Sequence, residues 1–434
     1  MRKKRVIVII IVLSLLLVIG ISFAYFVGQI GSGKTVNVNL TSIGTDSLNF
    51  TVGNAINIHA TQQNFTRNDG NLSGSTTAKA ILTANNGSTT QNYNVYLRIN
   101  SNNFIYTTAN HTAELVLKVT SPTGSTQTIS GLTSVTSGGV TGYDITTKTG
   151  FIPIATNYAI TSSTTKTDTW TVQVSFINLS TSQKANGGKE FDAEVIITTD
   201  EASLLTINPN GGTWNGTTAN SGYTQLYGTE MTIPNPTRSG YTFNGWTLTG
   251  AGWVGQSLHT DGTFNTSTNG VGVYNNTGNG TVTVTRQAAS SDNIYGNYEL
   301  KVVSSSTATP GYGGFVNGTG SAADQQYVHV FIAKLPFDNT FQYAMNATGT
   351  GRTVQWITGR QGTDKYTVYI YKLTAGSTGT FSSFGHVYVV AANRVPTFYV
   401  AESDVLNITN TKTGTIKYVF GEEPGTLTAQ WSSN

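Results

Sequence analysis

Residues 204–216, LLTINPNGGTWNG, and residues 226–250, LYGTEMTIPNPTRSGYTFNGWTLTG, are the most informative part of this chain. The Gly211-Gly212 pair marks a turn, and Pro234-Asn235-Pro236 marks an extended connection. Short apolar segments separated by such turns are typical of β-strands. The two stretches therefore predict most of a small β domain.

This pattern resembles the Listeria–Bacteroides repeat, also called the internalin B-repeat, a β-grasp-like module of bacterial surface proteins. The resemblance implies a last strand of the form tLtAqW soon after Trp246, but the matching residues, 426–431, stand near the C-terminus. We therefore predict a discontinuous repeat, residues 201–250 and 412–434, interrupted by an inserted domain at residues 251–411, because exposed loops tolerate insertions. The strand with Leu427 and Ala429 should pair inside the repeat, with Trp431 near its core.

Composition is consistent with a role outside the cell. Charged residues make up 10% of the 434 residues, whereas soluble proteins usually carry about 25%. The chain has no cysteine, which excludes disulfides, thiolate metal sites and a cysteine nucleophile. Residues 2–5 supply four of the 24 basic residues, so the other 20 face 21 acidic residues and no nucleic-acid partner is expected.

The N-terminus has the pattern of an export signal. Four basic residues precede an apolar run at residues 6–19, and Ser22-Phe23-Ala24 offers small residues at a cleavage site. This favours a signal peptide, residues 1–25, cut between Ala24 and Tyr25. The alternative is a retained anchor helix at residues 6–26, which would be the chain's only membrane contact. Either form leaves the cytoplasm, so we predict an extracellular, cell-surface location.

A nucleotide-binding motif follows at once. Gly28, Gly33, Lys34 and Thr35 match the P-loop pattern GxxxxGKT. That loop binds phosphates only between a strand and a helix. Residues 36–40, VNVNL, alternate with a period of two, which indicates a strand instead of a helix. The motif is therefore predicted to bind no nucleotide.

Residues 26–200 are predicted to form a β-sandwich, since short strands alternate there with Gly, Asn, Ser and Thr turns. The region resembles the camelysin/TasA family of secreted biofilm-fibre proteins in residues 20–26, in residues 81–97, and in residues 170–179 followed by Gln183, Asn186 and Gly188. The resemblance implies self-association into fibres or a matrix. The alternative is a generic sandwich that spaces the outer modules.

The insert, residues 251–411, is also predicted to be all-β and suits a jelly roll. It resembles the carbohydrate-binding jelly rolls of many glycan-active and surface proteins, whose last strand has the form iDDV. Here Glu402-Ser403-Asp404-Val405 takes that place, and no metal site is predicted.

Three strands of the insert alternate an aliphatic face with a second face, named here the Tyr/His face. Its six residues are Tyr327, His329, Tyr369, Tyr371, His386 and Tyr388. The aliphatic face is expected to pack on a second sheet. An exposed Tyr/His face would offer flat rings and polar groups to sugars, which makes these residues glycan-binding candidates. The alternative is that loops or a neighbouring domain cover them.

Few residue patterns in the sequence support a catalytic role. The five histidines lack metal-ligand spacing, and no GxSxG segment occurs. Glu402 and Asp404 share a strand face, but carboxylates at that spacing are usually solvated. We therefore predict an all-β, non-catalytic adhesive or matrix protein without a cofactor, whose partners are its own copies, host or cell-surface components, or glycans. The alternative function is glycan binding through the jelly roll.

Overall fold

The computed structural model describes residues 46–61, 65, 70–85, 87–259, 261–268, 271–275, 281–290, 292–304, 313–317, 324–335, 341–344, 353–356, 364–374, 386–389 and 397–434. Their regular structure is β-strand apart from one 3-10 helix at Lys184–Asn186, which confirms the all-β prediction. No helix among these residues is long and apolar enough to cross a membrane. The predicted cleavage site at Ala24 and Tyr25 and the P-loop-like residues Gly28, Gly33, Lys34 and Thr35 lie outside the described residues.

The described residues form two compact units: those up to Ile197 belong to unit 1, and those from Thr198 onward belong to unit 2. The strands of unit 1 are β1 (Ser47–Val52), β2 (Ile56–His59), β3 (Leu72–Thr83), β4 (Thr89–Asn102), β5 (Leu115–Thr120), β6 (Ser134–Ser137), β7 (Val140–Asp144), β8 (Gly150–Ser162), β9 (Thr165–Phe176) and β10 (Glu190–Thr198).

Unit 1 is a sandwich of two sheets, with strand orders β1-β3-β9-β5-β7-β6 and β2-β10-β4-β8. A buried hydrogen-bonded chain joins them. The indole N–H of Trp170 on β9 donates to the hydroxyl of Tyr93 on β4 at 2.9 Å, and that hydroxyl donates to Asp168 at 3.0 Å. Because each polar atom finds a partner, the aromatic rings can be buried without an unpaired group.

A buried carboxylate organises the loops beside these sheets. Both the backbone N–H and the hydroxyl of Thr107 donate to one oxygen of Glu114. The side-chain amides of Gln183 and Asn186 donate to the other oxygen, at 2.7 Å each. Four donors offset the cost of burying this group, so the polar residues after β9 hold the loops together.

The strands of unit 2 are β11 (Ala202–Asn208), β12 (Ser221–Leu226), β13 (Glu230–Thr232), β14 (Tyr241–Gly250), β15 (Trp253–Ser257), β16 (Val271–Asn275), β17 (Val282–Ala288), β18 (Tyr298–Ser304), β19 (Gly313–Asn317), β20 (Gln326–Lys334), β21 (Phe341–Ala344), β22 (Thr353–Trp356), β23 (Tyr366–Thr374), β24 (His386–Val389), β25 (Thr397–Asn407), β26 (Ile416–Val419) and β27 (Gly425–Ser433).

The strand at the C-terminal end returns to the start of unit 2. A four-stranded sheet has the order β12-β11-β27-β14. Strand β27 runs parallel to β11 and antiparallel to β14. Leu427 and Ala429 are fully buried in the apolar cluster of this sheet, and Trp431 packs against that cluster. The pairing predicted for residues 426–431 is therefore confirmed.

The turn predicted at Gly211-Gly212 is explained by its contact with this strand. Asn210 and Gly211 have positive φ angles of 48° and 80°, a conformation that glycine adopts without steric cost. A Cβ added to Gly212 would lie 2.4 Å from the Trp431 ring. Only glycine therefore lets the returning strand approach this turn.

The second sheet of unit 2 joins the two parts of the predicted repeat to the insert. Its order is β13-β26-β15-β25-β20-β23-β22, and β18 pairs with β25 and with β17. Strands β13 and β26 belong to the two parts of the predicted repeat, whereas β15 through β25 belong to the insert. One continuous hydrogen-bonded sheet thus crosses the predicted insertion boundary.

Candidate functional site

The Tyr/His face is part of the interior at the four residues whose side chains are described, so the exposure that glycan binding requires is missing there. Tyr327, His329, Tyr369 and Tyr371 expose 2%, 0%, 1% and 1% of their surface. The three tyrosines belong to one apolar cluster with residues from β18 and β25. Rings buried to this degree cannot stack on a sugar. The glycan-binding role assigned to these four residues is therefore withdrawn.

The reason is that both faces of the central strands are covered. Val328, Val330 and Ile332, on the aliphatic face, are each 0% exposed. A turn of the predicted repeat reaches this face, since a Cβ on Gly228 would lie 2.4 Å from the Val368 side chain. Alternation with a period of two separates two faces of a strand, but it does not show that either one meets solvent.

His329 is a neutral structural group. Its Nδ1 lies 2.7 Å from the Tyr371 hydroxyl, and its Nε2 lies 3.0 Å from the Ser403 hydroxyl. Burial, reinforced by nearby His259, lowers the pKa of His329 to about 3. The imidazole therefore stays uncharged at neutral pH and crosslinks β20, β23 and β25 inside the core.

The two remaining glycan-binding candidates are on β24. His386 and Tyr388 lie in a strand that pairs with β21. Their side chains lie outside the described residues, so their proposed role stays a prediction.

A different group of side chains has the features of a functional site. Four ionisable residues, Glu230, Glu402, Asp404 and Lys417, lie buried together in the second sheet of unit 2, and we name them the Lys417 cluster. The ammonium Nζ of Lys417 lies 2.5 Å from Oδ2 of Asp404 and 2.7 Å from Oε2 of Glu230. The Lys417 side chain is 9% exposed, and those of Glu230 and Asp404 are 6% and 0% exposed.

Strand register explains how these residues meet. Lys417 of β26 stands opposite Thr232 of β13, so Glu230, two residues away, lies on the same face. The neighbours of Lys417 on β26, Ile416 and Tyr418, point into the apolar cluster on the other side. Strand β15 runs between β26 and β25. The long lysine side chain reaches past it to Asp404.

Hydrogen bonds fix the position of the Asp404 carboxyl group. Its Oδ1 accepts the Val405 backbone N–H at 2.6 Å. Its Oδ2 lies 2.6 Å from the hydroxyl of Ser257, and the same hydroxyl lies 2.6 Å from the carbonyl oxygen of His259. A serine hydroxyl has one hydrogen and cannot donate to both acceptors.

Burial shifts the other two acids toward their neutral form. Burial, reinforced by Asp404, raises the pKa of Glu230 well above its usual range. Burial also raises the pKa of Glu402 to about 8, although Lys417 opposes this shift. Within the described part of the chain, Glu230 Oε1 and Glu402 Oε1 have no hydrogen-bond partner. A single ammonium cannot neutralise three buried carboxylates, so burial favours the protonated forms of Glu230 and Glu402.

Local sequence patterns do not predict this cluster. The spacing of Glu402 and Asp404 predicts solvated carboxylates, but these residues are 1% and 0% exposed. One signal was present: Lys417 interrupts the otherwise apolar run of β26, and a charge inside a buried strand needs a partner. The identity of that partner depends on strand register, which the pattern does not supply. No group of three or more His, Asp or Glu side chains in the described part of the chain could hold a metal ion.

Comparison with known proteins gives little further information. No protein-family model and no curated protein matches the chain. One similar solved structure is the M60 catalytic domain with CBM51-1 and CBM51-2 domains from Clostridium perfringens ZmpB. It is 8% identical with a TM-score of 0.17, and the match covers 86% of this chain and 36% of that one. Another is the CBM22-1-CBM22-2 tandem of Paenibacillus barcinonensis Xyn10C, 11% identical with a TM-score of 0.13, covering 93% and 98%. Scores this low carry no argument.

Proposed function

We propose that this chain is a non-catalytic structural component of a bacterial surface or extracellular matrix, exported and assembled with its own copies, and that unit 2 carries mechanical load. The observation behind this proposal is the parallel pairing of β11 with β27. Leu205 through Asn208 stand opposite Gly425 through Thr428 in one direction. These strands are the first and the last that the structure describes in unit 2.

Parallel pairing of the first and last strands produces a shear geometry. A pull on the chain before Ala202 and after Ser433 acts on opposite ends of two neighbouring strands. The hydrogen bonds between them are then loaded together instead of opening one after another. Resistance to force depends on the unfolding rate, which such a clamp lowers. A surface fibre or tether needs this property more than an enzyme does.

Other features support an extracellular structural role. The surface-repeat resemblance of residues 204–250 and 426–431 favours a bacterial surface protein, and the camelysin/TasA resemblance of residues 26–200 favours a matrix component. Absence of cysteine suits a domain that gains its stability from large cores. Those cores are extensive, since buried aromatic and aliphatic residues line both units.

The alternative function is glycan binding through the insert. Burial of Tyr327, His329, Tyr369 and Tyr371 removes the residues that first suggested it. What remains is the resemblance of the last insert strand to carbohydrate-binding jelly rolls, together with His386 and Tyr388 on β24. This alternative therefore has weaker support than the structural role.

One experiment separates the two functions. The exported part, residues 25–434, is sized by light scattering over a range of concentrations and is also applied as monomer to a glycan array. The structural role predicts assembly that grows with concentration and no saturable glycan signal. A monomer at every concentration that binds a glycan in a saturable, salt-tolerant manner would contradict the structural role and favour the alternative.

A further inference from the structure

We propose that the side chains of Lys417 and Asp404 join in an intramolecular amide bond, an isopeptide crosslink between β26 and β25, with Glu230 as the group that carries protons. This modification is inferred from the Lys417 cluster alone. It does not depend on the structural function proposed above.

The first argument is proximity. The Lys417 nitrogen and Asp404 Oδ2 are 2.5 Å apart, and each side chain is held by its strand and nearly or fully excluded from solvent. Fixing an amine beside a carboxyl group replaces a bimolecular encounter with a step inside one molecule, which can raise the effective concentration of the reacting groups by many orders of magnitude. Amide formation from an amine and a carboxyl group is unfavourable in water. A buried site excludes water, so the water that the reaction releases does not stay there to reverse it.

The second argument concerns the electrophile. Of the two carboxyl groups that contact Lys417, Asp404 has donors on both oxygens. The backbone N–H of Val405 donates to Oδ1, where negative charge would develop as nitrogen attacks the carbon. The hydroxyl of Ser257 contacts Oδ2, the oxygen that would leave. These contacts assign Asp404 as the group attacked.

The third argument concerns Glu230. Its Oε2 is 2.7 Å from the attacking nitrogen, whereas its Oε1 has no hydrogen-bond partner among the residues that the structure describes. A carboxyl group in this position can take a proton from nitrogen and return it to the leaving oxygen. Gly262 covers the site closely, because a Cβ there would lie 3.1 Å from Glu230 Oε2 and 3.5 Å from Lys417 Nζ.

The reaction balances without an oxidant or cofactor. Lys417 passes one ammonium proton to Asp404, giving a neutral amine beside a neutral acid. Burial favours this transfer because it penalises both charged forms, whereas the carboxyl groups of Glu230 and Asp404 oppose it and raise the pKa of Lys417 overall. The amine nitrogen forms a bond to Cγ of Asp404, and Glu230 moves a proton from nitrogen to the Oδ2 hydroxyl. The Cγ–Oδ2 bond then breaks, and one water molecule leaves.

Mass spectrometry of the full chain tests the proposal. The denatured protein should be lighter than its sequence mass by one water molecule. Lys417 in amide linkage resists trypsin, so the digest should contain a branched species that joins residues 395–412, which include Asp404, to residues 413–434. Full mass together with separate peptides 413–417 and 418–434 would overturn the proposal.

The same digest checks which acid reacts. A branch from Lys417 to residues 190–238, which contain Glu230, would overturn the assignment of Asp404. The Glu230→Gln variant should lose the crosslink and regain the full mass, while the exposed control Glu422→Gln should keep it. A crosslink that persists in Glu230→Gln would contradict the proton-carrying role. If Glu230→Gln does not fold, the wild-type peptide map still decides whether the bond exists.

Discussion

Ile207 on β11 lies directly opposite Leu427 on β27 in a parallel pair, although nearly all of unit 2 separates them in sequence. Both side chains are 0% exposed and belong to the same apolar cluster. The apolar side chains of β11 are therefore fully buried only when β27 pairs with this strand. This long-range closure makes the sheet sensitive to changes at either end of the unit.

The Leu427→Ala substitution tests that dependence. Removing a fully buried leucine side chain leaves a cavity, and we expect the free energy of unfolding to fall by about 2–5 kcal/mol. The matched control is Leu204→Ala on β11, where the leucine is 43% exposed and a change within about 0.5 kcal/mol is expected. Urea unfolding measures both values. Equal effects would mean that β27 adds little to the core.

The Tyr371→Phe substitution tests the buried histidine network. His329 loses its 2.7 Å hydrogen bond to the tyrosine hydroxyl, inside a core that supplies no bulk water. We expect a loss of about 1–3 kcal/mol in the free energy of unfolding. Tyr241→Phe, at a side chain that is 40% exposed, is the control and should be nearly neutral. A loss at Tyr371 no larger than the control would show that the hydrogen bond is unimportant.

His329 should also make the fold sensitive to acid. Its pKa falls from 6.5 to about 3 on folding, so the unfolded chain takes up a proton that the folded chain refuses. Stability from this group is complete above about pH 6.5 and is lost as the pH falls toward 3. His329→Gln should flatten this acid dependence, measured by urea unfolding from pH 7 to pH 4. The exposed His59→Gln control should leave the dependence unchanged.

Glu402 should act in the opposite direction. Its pKa rises from 4.5 to about 8 on folding, so the folded chain keeps a proton that the unfolded chain releases. This contribution is largest below about pH 4.5 and is lost as the pH rises to about 8. Glu402→Gln stays neutral throughout, so its free energy of unfolding should fall less between pH 5 and pH 8 than that of the wild type. The exposed control Glu423→Gln should lose as much free energy of unfolding over this pH range as the wild type. An equal loss in Glu402→Gln would contradict the raised pKa of Glu402.

Local sequence patterns predicted strands and turns well. Period-two alternation, glycine turns and the displaced TLTAQW segment together indicated an all-β chain and the return of β27 to β11 and β14. These features depend on residues close in sequence or on a recognisable motif. The sequence therefore predicts them without knowledge of how the strands pack.

The site could not be predicted in the same way. Whether Tyr369 meets solvent depends on what covers the strand, and in unit 2 both faces are covered. Lys417 finds Asp404 and Glu230 because β13, β26, β15 and β25 stand side by side in that order. Strand order is a long-range property, and no local pattern encodes which acidic residues meet the lysine.

The load-bearing role proposed for unit 2 is tested most directly by pulling on two pairs of engineered cysteines, which are unique handles because the natural chain has none. Glu201→Cys with Ser433→Cys loads β11 and β27 in shear. Ser239→Cys with Ser433→Cys peels β14 from β27, since Tyr241 and Ser433 pair at the end of that ladder. In single-molecule force measurements the first pair should require a clearly higher unfolding force than the second. Equal forces, or a lower force for the first pair, would contradict the proposed load-bearing role.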